Sequence, residues 1–403
     1  MMKAEFETAQ EAALRLGVTT RAIQKWAAEG RLPGAMRYGR AWMIPRNAEP
    51  LTAAQMRSAA HHGMSDAYQL TPLRLAMPLL NSTYPVGRAR ETADAMPDAD
   101  DRQIALAEYY LFAGDAEQAA QLAEPHMVSH DPGLRFSANL ICVFANLGRE
   151  HSHLAKFAML NLSEQSSAAL TSGAPAQVRA LAVFASNLIA VDFRLPLADV
   201  PPMEEHLAQL PGGFRQYACC VLAHKAYLAK DYGKCLTIAE LSLALSPEQY
   251  PIAAVYTHVA AVIALINMKR VDEARAHMDK AWKIAQPDGL LQPFVEHHGL
   301  LQGMVEVYFS KAAPDVLRRI VKLTEKYSSG WRKVHNLEAN RDVADNLTTM
   351  EFTIAMLYNR GWKIREIAGH LELSVRTVNR HIASIYEKLG IHDRDMLDRF
   401  MLQ

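Results

Sequence analysis

Residues 364 to 390 read IREIAGHLELSVRTVNRHIASIYEKLG and decide the fold of the C-terminal part of the chain. Apolar residues recur at helical spacing up to Leu371, which predicts a short first helix. Residues 372 to 374 predict a turn, with Ser374 as the N-cap of a second helix that ends at Gly390. The sequence therefore predicts two helices joined tightly. The apolar face expected for the second helix consists of Val375, Val378, Ile382, Ile385, Tyr386 and Leu389.

The opposite face of the second helix is polar and partly basic. A helix of this kind fits the major groove of DNA, where its first turns reach the edges of the bases. We therefore predict a DNA-reading helix. An amphipathic hairpin used only for packing is the alternative. The candidate DNA contacts in this helix are Ser374, Arg376, Thr377, Asn379, Arg380, Ala383, Ser384 and Lys388.

The stretch from residue 345 to 403 resembles the LuxR/GerE family of bacterial regulators. The resemblance implies a four-helix module that binds double-stranded DNA, commonly as a homodimer paired through its last helix. Met396 and Phe400 would lie on one face of that helix, where they would either pair or close the module's own core. The matching positions are Leu347-Thr348 with Glu351 on L-T-x-x-E, 366–368 on E-I-A, 377–381 on T-V-K-x-H and 388–390 on K-L-G.

Three positions depart from the family's pattern. Met350 stands where the family usually has Arg, and Lys363 where it has a polar cap before the scaffold helix. Asn379 replaces the usual Lys of the recognition helix and so removes a cation that would contact phosphate or a base. We therefore expect an unusual sequence preference and salt dependence, with Arg380 as a partial replacement.

Residues 6 to 48 carry a second, independent DNA-binding signature. Thr8 has an acidic residue three positions later, and this capping-box spacing predicts a helix that ends near Gly17. A second helix is predicted to about residue 29. A turn follows, and then residues 36 to 44 predict a small β-hairpin.

This N-terminal segment resembles the excisionase/MerR-like winged helix, through E-A-A-x-x-L-G-V-T at residues 11 to 19 and R-x-G-x-x-W-x-I-P at residues 37 to 45. The resemblance implies that the second helix faces the major groove and that the wing touches phosphate or the minor groove. Trp26 and Trp42 are expected in the core between helix and wing. A degenerate module that contacts protein is the alternative. The implied DNA contacts are Thr20, Arg21, Gln24, Lys25, Arg37 and Arg40.

Composition predicts a folded, multidomain protein. Half of the 403 residues are hydrophobic, which favours two or three domains. The 43 basic and 43 acidic residues balance, so the overall positive charge typical of DNA binders is absent and modest affinity per protomer is expected. Four cysteines without a C-x-x-C pattern indicate reduced thiols. With no signal peptide and no apolar stretch long enough to span a bilayer, we expect a cytoplasmic protein without membrane contact.

The middle of the chain shows helical stretches separated by short Gly, Asp or Pro breaks. The Asp-Tyr turn at residue 231, with a proline sixteen residues later, resembles a degenerate tetratricopeptide-like solenoid of roughly five hairpins. Stacked hairpins form a concave groove, which predicts a site for a peptide, a protein segment or a small-molecule effector. Candidates for that groove, each more often ordinary helix packing, are Tyr109, Tyr110, Tyr227, Tyr256, His258 and Phe294.

No pattern in the chain indicates an enzyme. The paired histidines lack the i, i+4 spacing of a helical zinc site, which argues against a metal. Phosphate-loop, dinucleotide and nucleophile-elbow motifs are absent from the sequence. We therefore expect no cofactor, no metal and no catalytic residues.

The sequence as a whole predicts a mainly α bacterial transcription regulator of the one-component type. A ligand or partner would shift the arrangement of its two DNA-binding ends. The alternative is a helical-repeat scaffold whose terminal modules dock protein partners, which sequence-selective DNA binding would exclude. The predicted parts are a winged helix (1–50), a connector with short helices (51–100), a tetratricopeptide-like sensor (101–335), a short linker, and a LuxR-type module (345–403).

Overall fold

The computed structural model divides into two compact units, residues 1 to 73 and residues 74 to 403. The residues that it describes are 6–28, 31–32, 35–38, 41–45, 48, 50, 74–195, 201–246, 250–339 and 346–401. Residues 51 to 73 of the expected connector lie outside this set, as do residues 340 to 345 before the C-terminal module.

The N-terminal unit begins with the two predicted helices. Helix α1 (Ala9–Leu16) starts at Thr8, whose hydroxyl accepts from the Glu11 N–H while the Glu11 carboxylate accepts from the Thr8 N–H. Gly17 ends α1 in the left-handed conformation, with φ 67°, which a residue without Cβ adopts at little cost. Helix α2 (Thr20–Ala28) follows. Both helices therefore lie where the sequence predicts them.

The same unit contains a three-stranded antiparallel sheet of order β1 (Phe6–Thr8), β3 (Ala41–Pro45), β2 (Met36–Tyr38). Strands β2 and β3 are the predicted hairpin, and its turn at residues 39 and 40 lies outside the described residues. Strand β1 is an addition that the sequence does not predict, because three residues are too few to show alternation.

A small core holds these elements together. Ala12, Ile23 and Ile44 are fully buried in it. Trp26 and Trp42 are half-buried and pack against this core, as expected for residues between helix and wing.

The second unit begins with a succession of helices, in which each helix up to α12 packs against the next. Consecutive packing is expected because an amphipathic hairpin cannot bury its apolar face alone. The helices are α3 (Ala89–Asp94), α4 (Ala99–Phe112), α5 (Ala116–Ala123), α6 (Pro132–Gly148), α7 (Ser152–Thr171), α8 (Ala176–Asp192), α9 (Gly212–Leu228), α10 (Tyr232–Leu245), α11 (Pro251–Asn267), α12 (Val271–Ala285), α13 (Gln292–Glu296), α14 (Met304–Ala312) and α15 (Pro314–Ala339), with 3-10 turns at Glu124–His126, Met203–Gln209 and Gln286–Asp288.

Aspartates start several of these helices. A carboxylate at the N-cap accepts hydrogen bonds from backbone N–H groups that have no partner within the helix. Asp231 does this for α10, at the Asp-Tyr turn singled out in the sequence. Asp98, Asp115 and Asp131 do the same for α4, α5 and α6.

Part of the expected connector belongs to this array. The Leu79 and Leu80 N–H groups donate to the buried carboxylate of Glu108, at 3.0 and 2.8 Å. Burial raises the pKa of Glu108 to about 8, against the lowering effect of these two bonds. The carboxylate of Asp288 likewise accepts from the N–H groups of Gly87 and Ala89. Residues 74 to 89 are therefore fixed against α4 and the end of α12.

The long helix α15 packs back against α6 and α7. A Cβ at Gly330 would lie 2.3 Å from the Leu147 carbonyl oxygen, so glycine is required for this approach. The Trp331 indole N–H donates to the Asp192 carbonyl at 2.9 Å, and His335 Nδ1 lies 2.8 Å from the Phe193 carbonyl. Helix α15 thus covers part of the earlier helices α6 and α7, and the tetratricopeptide-like repeat remains a prediction.

The C-terminal module follows α15, which continues to Ala339 and so extends into the expected linker. Its helices are α16 (Thr349–Asn359), α17 (Ile364–His370) and α18 (Val375–Leu389), with a last 3-10 helix at Asp395–Arg399. Their buried residues join the hydrophobic core of the array in one continuous cluster. Among the described residues, no helix combines the length and the apolar character that crossing a membrane requires.

Candidate DNA-binding site and its junction with the array

The predicted recognition helix is α18, and its ends are as the sequence predicts. The Ser374 hydroxyl accepts from the Thr377 N–H at 3.0 Å and so caps the helix. Gly390 ends the helix in the left-handed conformation, with φ 64°. Val378 and Ile385 are buried, but Val375 is 43 % exposed and is the one wrong assignment on this face. Val375 lies in the first turn, ahead of the residues that contact the core.

The polar face of α18 is open to solvent. Arg376, Asn379, Arg380 and Ala383 are exposed, and Thr377 is half-buried beside its cap. Among the described residues, no hydrogen bond or ion pair joins this face to the helical array. Its side chains are therefore accessible to a nucleic acid.

Two other predicted contacts, Ser384 and Lys388, are used inside the module. The Ser384 hydroxyl donates to Glu351 Oε1 at 2.7 Å, and Lys388 Nζ donates to Glu351 Oε2 at 2.7 Å. Glu351 also accepts from the Thr348 N–H at 2.8 Å and so completes the capping box of α16. This single carboxylate ties the first helix of the module to α18.

The charge of Glu351 is stabilised by these partners. Burial would raise its pKa, but the hydrogen bonds from Lys388, Thr348 and Ser384 outweigh burial and lower the pKa to about 2. Glu351 is only 4 % exposed, but the Lys388 side chain is 35 % exposed, so solvent partly screens their ion pair.

The N-terminal unit presents a comparable helix. On α2, Arg21, Gln24 and Lys25 are exposed and Thr20 is half-buried. Thr19 caps this helix, because its hydroxyl accepts from the Ala22 N–H at 3.2 Å. Of the predicted wing contacts, only the backbone of Arg37 is described, and Arg40 lies outside the described residues.

Both modules match known protein families. Residues 345–401 match the family described as bacterial regulatory proteins, luxR family, and residues 8–48 match a helix-turn-helix domain family. No curated protein and no solved structure shows significant similarity to the chain. The chain is a DNA-binding transcription regulator. Its C-terminal module is a luxR-family helix-turn-helix domain, and a second helix-turn-helix domain lies at its N-terminus.

The array holds the luxR-family domain through helices other than the recognition helix. Arg360, at the end of α16, donates to the hydroxyls of Tyr227 and Tyr232 and to the side-chain carbonyl of Asn267. Its guanidinium also lies over the Tyr227 ring, 5.1 Å from the centroid. One arginine of the DNA-binding domain therefore contacts α9, α10 and α11 of the array.

Further contacts lie along α17 and the turn after it. Lys269 pairs with Glu366 at 2.8 Å and lies over the Trp362 ring. His370 Nε2 lies 2.8 Å from the Gln302 carbonyl oxygen, and Lys311 pairs with Glu372. Glu366 also accepts from the Lys363 N–H, so the N-terminus of α17 is capped although Lys363 is not a capping residue. The docked face of the domain is α16 and α17, and the exposed face is α18.

A cavity of about 370 Å³ lies at this junction. We call it the junction cavity. It is walled on one side by the array and on the other by the start of the luxR-family domain. Its lining residues are Val191, Asp192, Arg194, His224, Leu228, Val295, Glu296, His297, His298, Gly299, Leu300, Thr324, Glu325, Tyr327, Ser328, Trp331, Arg332, Leu347, Thr348, Thr349, Phe352 and Met356.

The groove candidates taken from the sequence do not line this cavity. Tyr256 and Phe294 are buried in the core, and the Tyr256 hydroxyl donates to Glu296 Oε2 at 2.8 Å. His258 is buried with its Nδ1 3.0 Å from that of His277. Tyr227 is buried beneath Arg360, and Tyr109 and Tyr110 pack edge to face on α4. All six therefore act in helix packing or support.

Sequence reasoning did not single out Asp192 and Glu296. The available signal was a lone carboxylate in an otherwise apolar stretch, since Asp192 ends the apolar helix α8 and Glu296 follows the buried residues Phe294 and Val295. Such residues are costly to bury and are often functional.

Proposed function

We propose that this regulator is a one-component bacterial protein whose α18 reads DNA while its helical array senses a ligand or a partner. The observation that supports this most is the orientation of the docked domain. The array contacts α16, α17 and the turn after α17, whereas the polar face of α18 is exposed. The domain could therefore bind DNA while still attached to the array, and an effector at the junction could bias its position.

Within α18 we assign roles by geometry. Arg376, Asn379 and Arg380 project from the exposed face and would contact bases and phosphates, beside the small side chain of Ala383. Ser374 and Thr377 shape the first turn of the helix. We propose that Ser384 and Lys388 mainly hold α18 in place, because both donate to Glu351.

We also propose that the protein binds DNA as a homodimer. Met396 is 43 % exposed on the 3-10 helix Asp395–Arg399, and Phe400 beside it is half-buried. An exposed apolar residue on the last helix fits pairing of two luxR-family domains, each on a half-site, about one helical turn apart. Light scattering of the DNA complex tests this, and one protomer per duplex would contradict it.

The N-terminal domain is proposed as a second DNA contact. Arg21, Gln24 and Lys25 share the exposed face of α2, and Thr20 lies at its start. Arg37 and Arg40 of the predicted wing would add contacts to phosphate. A small module of this kind binds weakly alone and strengthens binding through effective concentration.

The deciding experiment is DNA binding by Arg380→Ala in the full-length protein, on an operator first selected with the wild type. Loss of a base contact should weaken specific binding by about 1–3 kcal/mol, which is roughly 5- to 150-fold. Arg318→Ala, which removes an exposed arginine of α15, is the matched control and should leave binding unchanged.

If Arg380 contacts phosphate instead, binding should weaken evenly across sequences and the salt slope should fall by about one unit. Equal isotherms for Arg380→Ala and the wild type at low salt would remove Arg380 from the interface. If no operator can be selected with the wild type, the helical scaffold with protein-docking ends is the better account.

A further inference from the structure

The junction cavity contains polar groups that the described residues do not satisfy. His224 Nε2 and Thr324 Oγ1 are buried without a hydrogen-bond partner, and their side chains are only 7 % and 8 % exposed. A buried polar atom without a partner costs about 1–3 kcal/mol, so a ligand that bonds to these two groups would recover part of that cost. A volume of about 370 Å³ is within the range of small-molecule pockets.

Two carboxyl groups lie in the same cavity. Glu296 accepts from the Tyr256 hydroxyl at 2.8 Å and from Gln292 Nε2 at 2.9 Å, and Asp192 closes α8 nearby. Burial raises the pKa of Glu296 to about 7. Burial, and then repulsion by Glu296, raise the pKa of Asp192 well above its usual range.

Basic groups also line the cavity around these carboxyls, namely Arg194, Arg332, His224 and His297. Among the described residues, the interactions that set the pKa of Asp192 and Glu296 include none with a cation. The charge of Arg194 acts on His224 and Tyr227. The titratable groups that face the pair are Tyr217 and Cys220 from α9, Tyr256 from α11 and Tyr327 from α15.

We propose that the junction cavity binds a small organic cation, a primary or substituted amine, with its ammonium group beside Asp192 and Glu296. This inference rests on the proposed function, since it names the effector class of that sensor. An ammonium group converts two half-buried, poorly solvated acids into attractive partners. The rings of Tyr327 and Phe352 in the cavity wall suit both the apolar body and the positive charge of such a ligand.

Other ligand classes fit less well. A carboxylate beside Asp192 and Glu296 would add a negative charge to two acids that already repel each other. Binding of a carboxylate at Arg194 or Arg332 instead would make the carboxylate probe the tighter one in the test below. An uncharged molecule could satisfy His224 and Thr324 but would leave the burial cost of both carboxyls in place.

The position of the cavity would connect ligand binding with DNA binding. Thr348, Phe352 and Met356 belong to the cap and first helix of the luxR-family domain, and they form part of the same wall. A ligand held by the array would therefore also contact the domain and favour one docked arrangement.

The test uses the full-length protein with three matched triads of probes, which carry butyl, benzyl and phenethyl groups. Each triad consists of the ammonium compound, the alcohol and the carboxylate. Calorimetry should show, in at least one triad, that the ammonium compound binds at least tenfold more tightly than the other two. Tighter or equal binding of the alcohol or the carboxylate, or no binding in any triad, would overturn the proposal.

The pH dependence of the affinity for the ammonium probe is a second test. These amines stay protonated from pH 6 to 8, while Glu296, with a pKa of about 7, passes from mostly neutral to mostly ionised. Affinity for the ammonium probe should therefore rise about tenfold over this range. A flat or falling profile would contradict an ammonium–carboxylate contact.

Two variants locate the site. Glu296→Gln should weaken binding of the ammonium probe at least tenfold and abolish the pH dependence. Asp192→Asn should weaken it similarly, and it serves if Glu296→Gln fails to fold. Glu273→Gln, which removes an exposed carboxylate on α12, is the matched control and should bind normally.

The measurements distinguish failure of the ligand assignment from failure of the proposed regulator function. If the wild type binds a selected operator and no ammonium probe binds, the ligand assignment alone is wrong. If the wild type binds no DNA selectively, the proposed regulator function is wrong, whatever the probes show.

Discussion

The two DNA-binding domains begin with the same capping box, but the surroundings of its glutamate differ. In both, a threonine caps the first helix and a glutamate three residues later accepts from the threonine N–H, at 2.7 Å in Thr8–Glu11 and 2.8 Å in Thr348–Glu351. Glu11 is exposed, whereas Glu351 is buried and also binds Ser384 and Lys388.

The difference lies in what surrounds each cap. The N-terminal domain has its own small core, around Ala12, Ile23 and Ile44. The core of the C-terminal domain is continuous with that of the array, and Arg360 fixes its first helix to three array helices. The same sequence motif therefore starts a helix in one domain, and in the other it also sets the position of the recognition helix.

The largest expected effect is the difference in stability lost when the capping glutamate of each domain is removed. Glu351→Ala removes a buried carboxylate that accepts from Thr348, Ser384 and Lys388, and should cost about 3 kcal/mol. Glu11→Ala removes an exposed capping bond and should cost about 0.5–1 kcal/mol. Hydrogen exchange on the full-length protein reports each domain separately. Equal losses of protection in the two domains would show that burial of Glu351 does not matter.

Low pH should remove the stabilisation that Glu351 provides. Because the folded-state pKa of Glu351 is lowered from 4.5 to about 2, its stabilisation is present above pH 4.5 and is lost as pH falls towards 2. The stabilisation amounts to about 2 kcal/mol after allowing for solvent near Lys388. The difference in melting temperature between the wild type and Glu351→Gln should therefore be full at pH 6 and shrink steadily as pH falls from 4.5 to 2. A constant difference would contradict the assigned pKa.

The attachment of the C-terminal domain should be weakened by Arg360→Ala. This change removes hydrogen bonds to Tyr227, Tyr232 and Asn267 and the contact with the Tyr227 ring, which together should contribute about 1–2 kcal/mol. Faster exchange in α16, with unchanged exchange in α4 to α6, is the expected result. Arg365→Ala, at an exposed position of α17, is the control. If both variants exchange alike, Arg360 does not hold the domain.

Much of the fold could be predicted because local rules decide it. Thr8, Gly17, Ser374 and Gly390 mark helix ends by chemistry that acts within four residues, and the structure places each as predicted. Strand β1 could not be predicted, since it exists only through pairing with a strand 35 residues or more away. The return of α15 onto α6 likewise depends on distant contacts, such as Gly330 against Leu147.

The candidate site also combines features that local sequence predicts with features that depend on distant contacts. The polar face of α18 follows from helical periodicity, so Arg376 and Arg380 could be assigned from sequence. The use of Lys388 by Glu351 could not, because it requires the geometry between two helices. The junction cavity is built by residues from both ends of the second unit, and no short pattern connects Asp192 with Phe352.

The smallest expected effect concerns the N-terminal domain as a reader of DNA. Residues 1 to 50 carry eight basic and five acidic residues, so this domain should add electrostatic attraction to phosphates. Because its contribution acts through effective concentration, removing it should weaken binding of the intact protein only a few-fold, or about 1 kcal/mol. Footprints of the full-length protein and of a chain starting at residue 51, at one salt concentration, measure this. Identical protection with equal affinity would mean that α2 contacts no DNA, and that the exposed face of Arg21, Gln24 and Lys25 faces a protein partner instead.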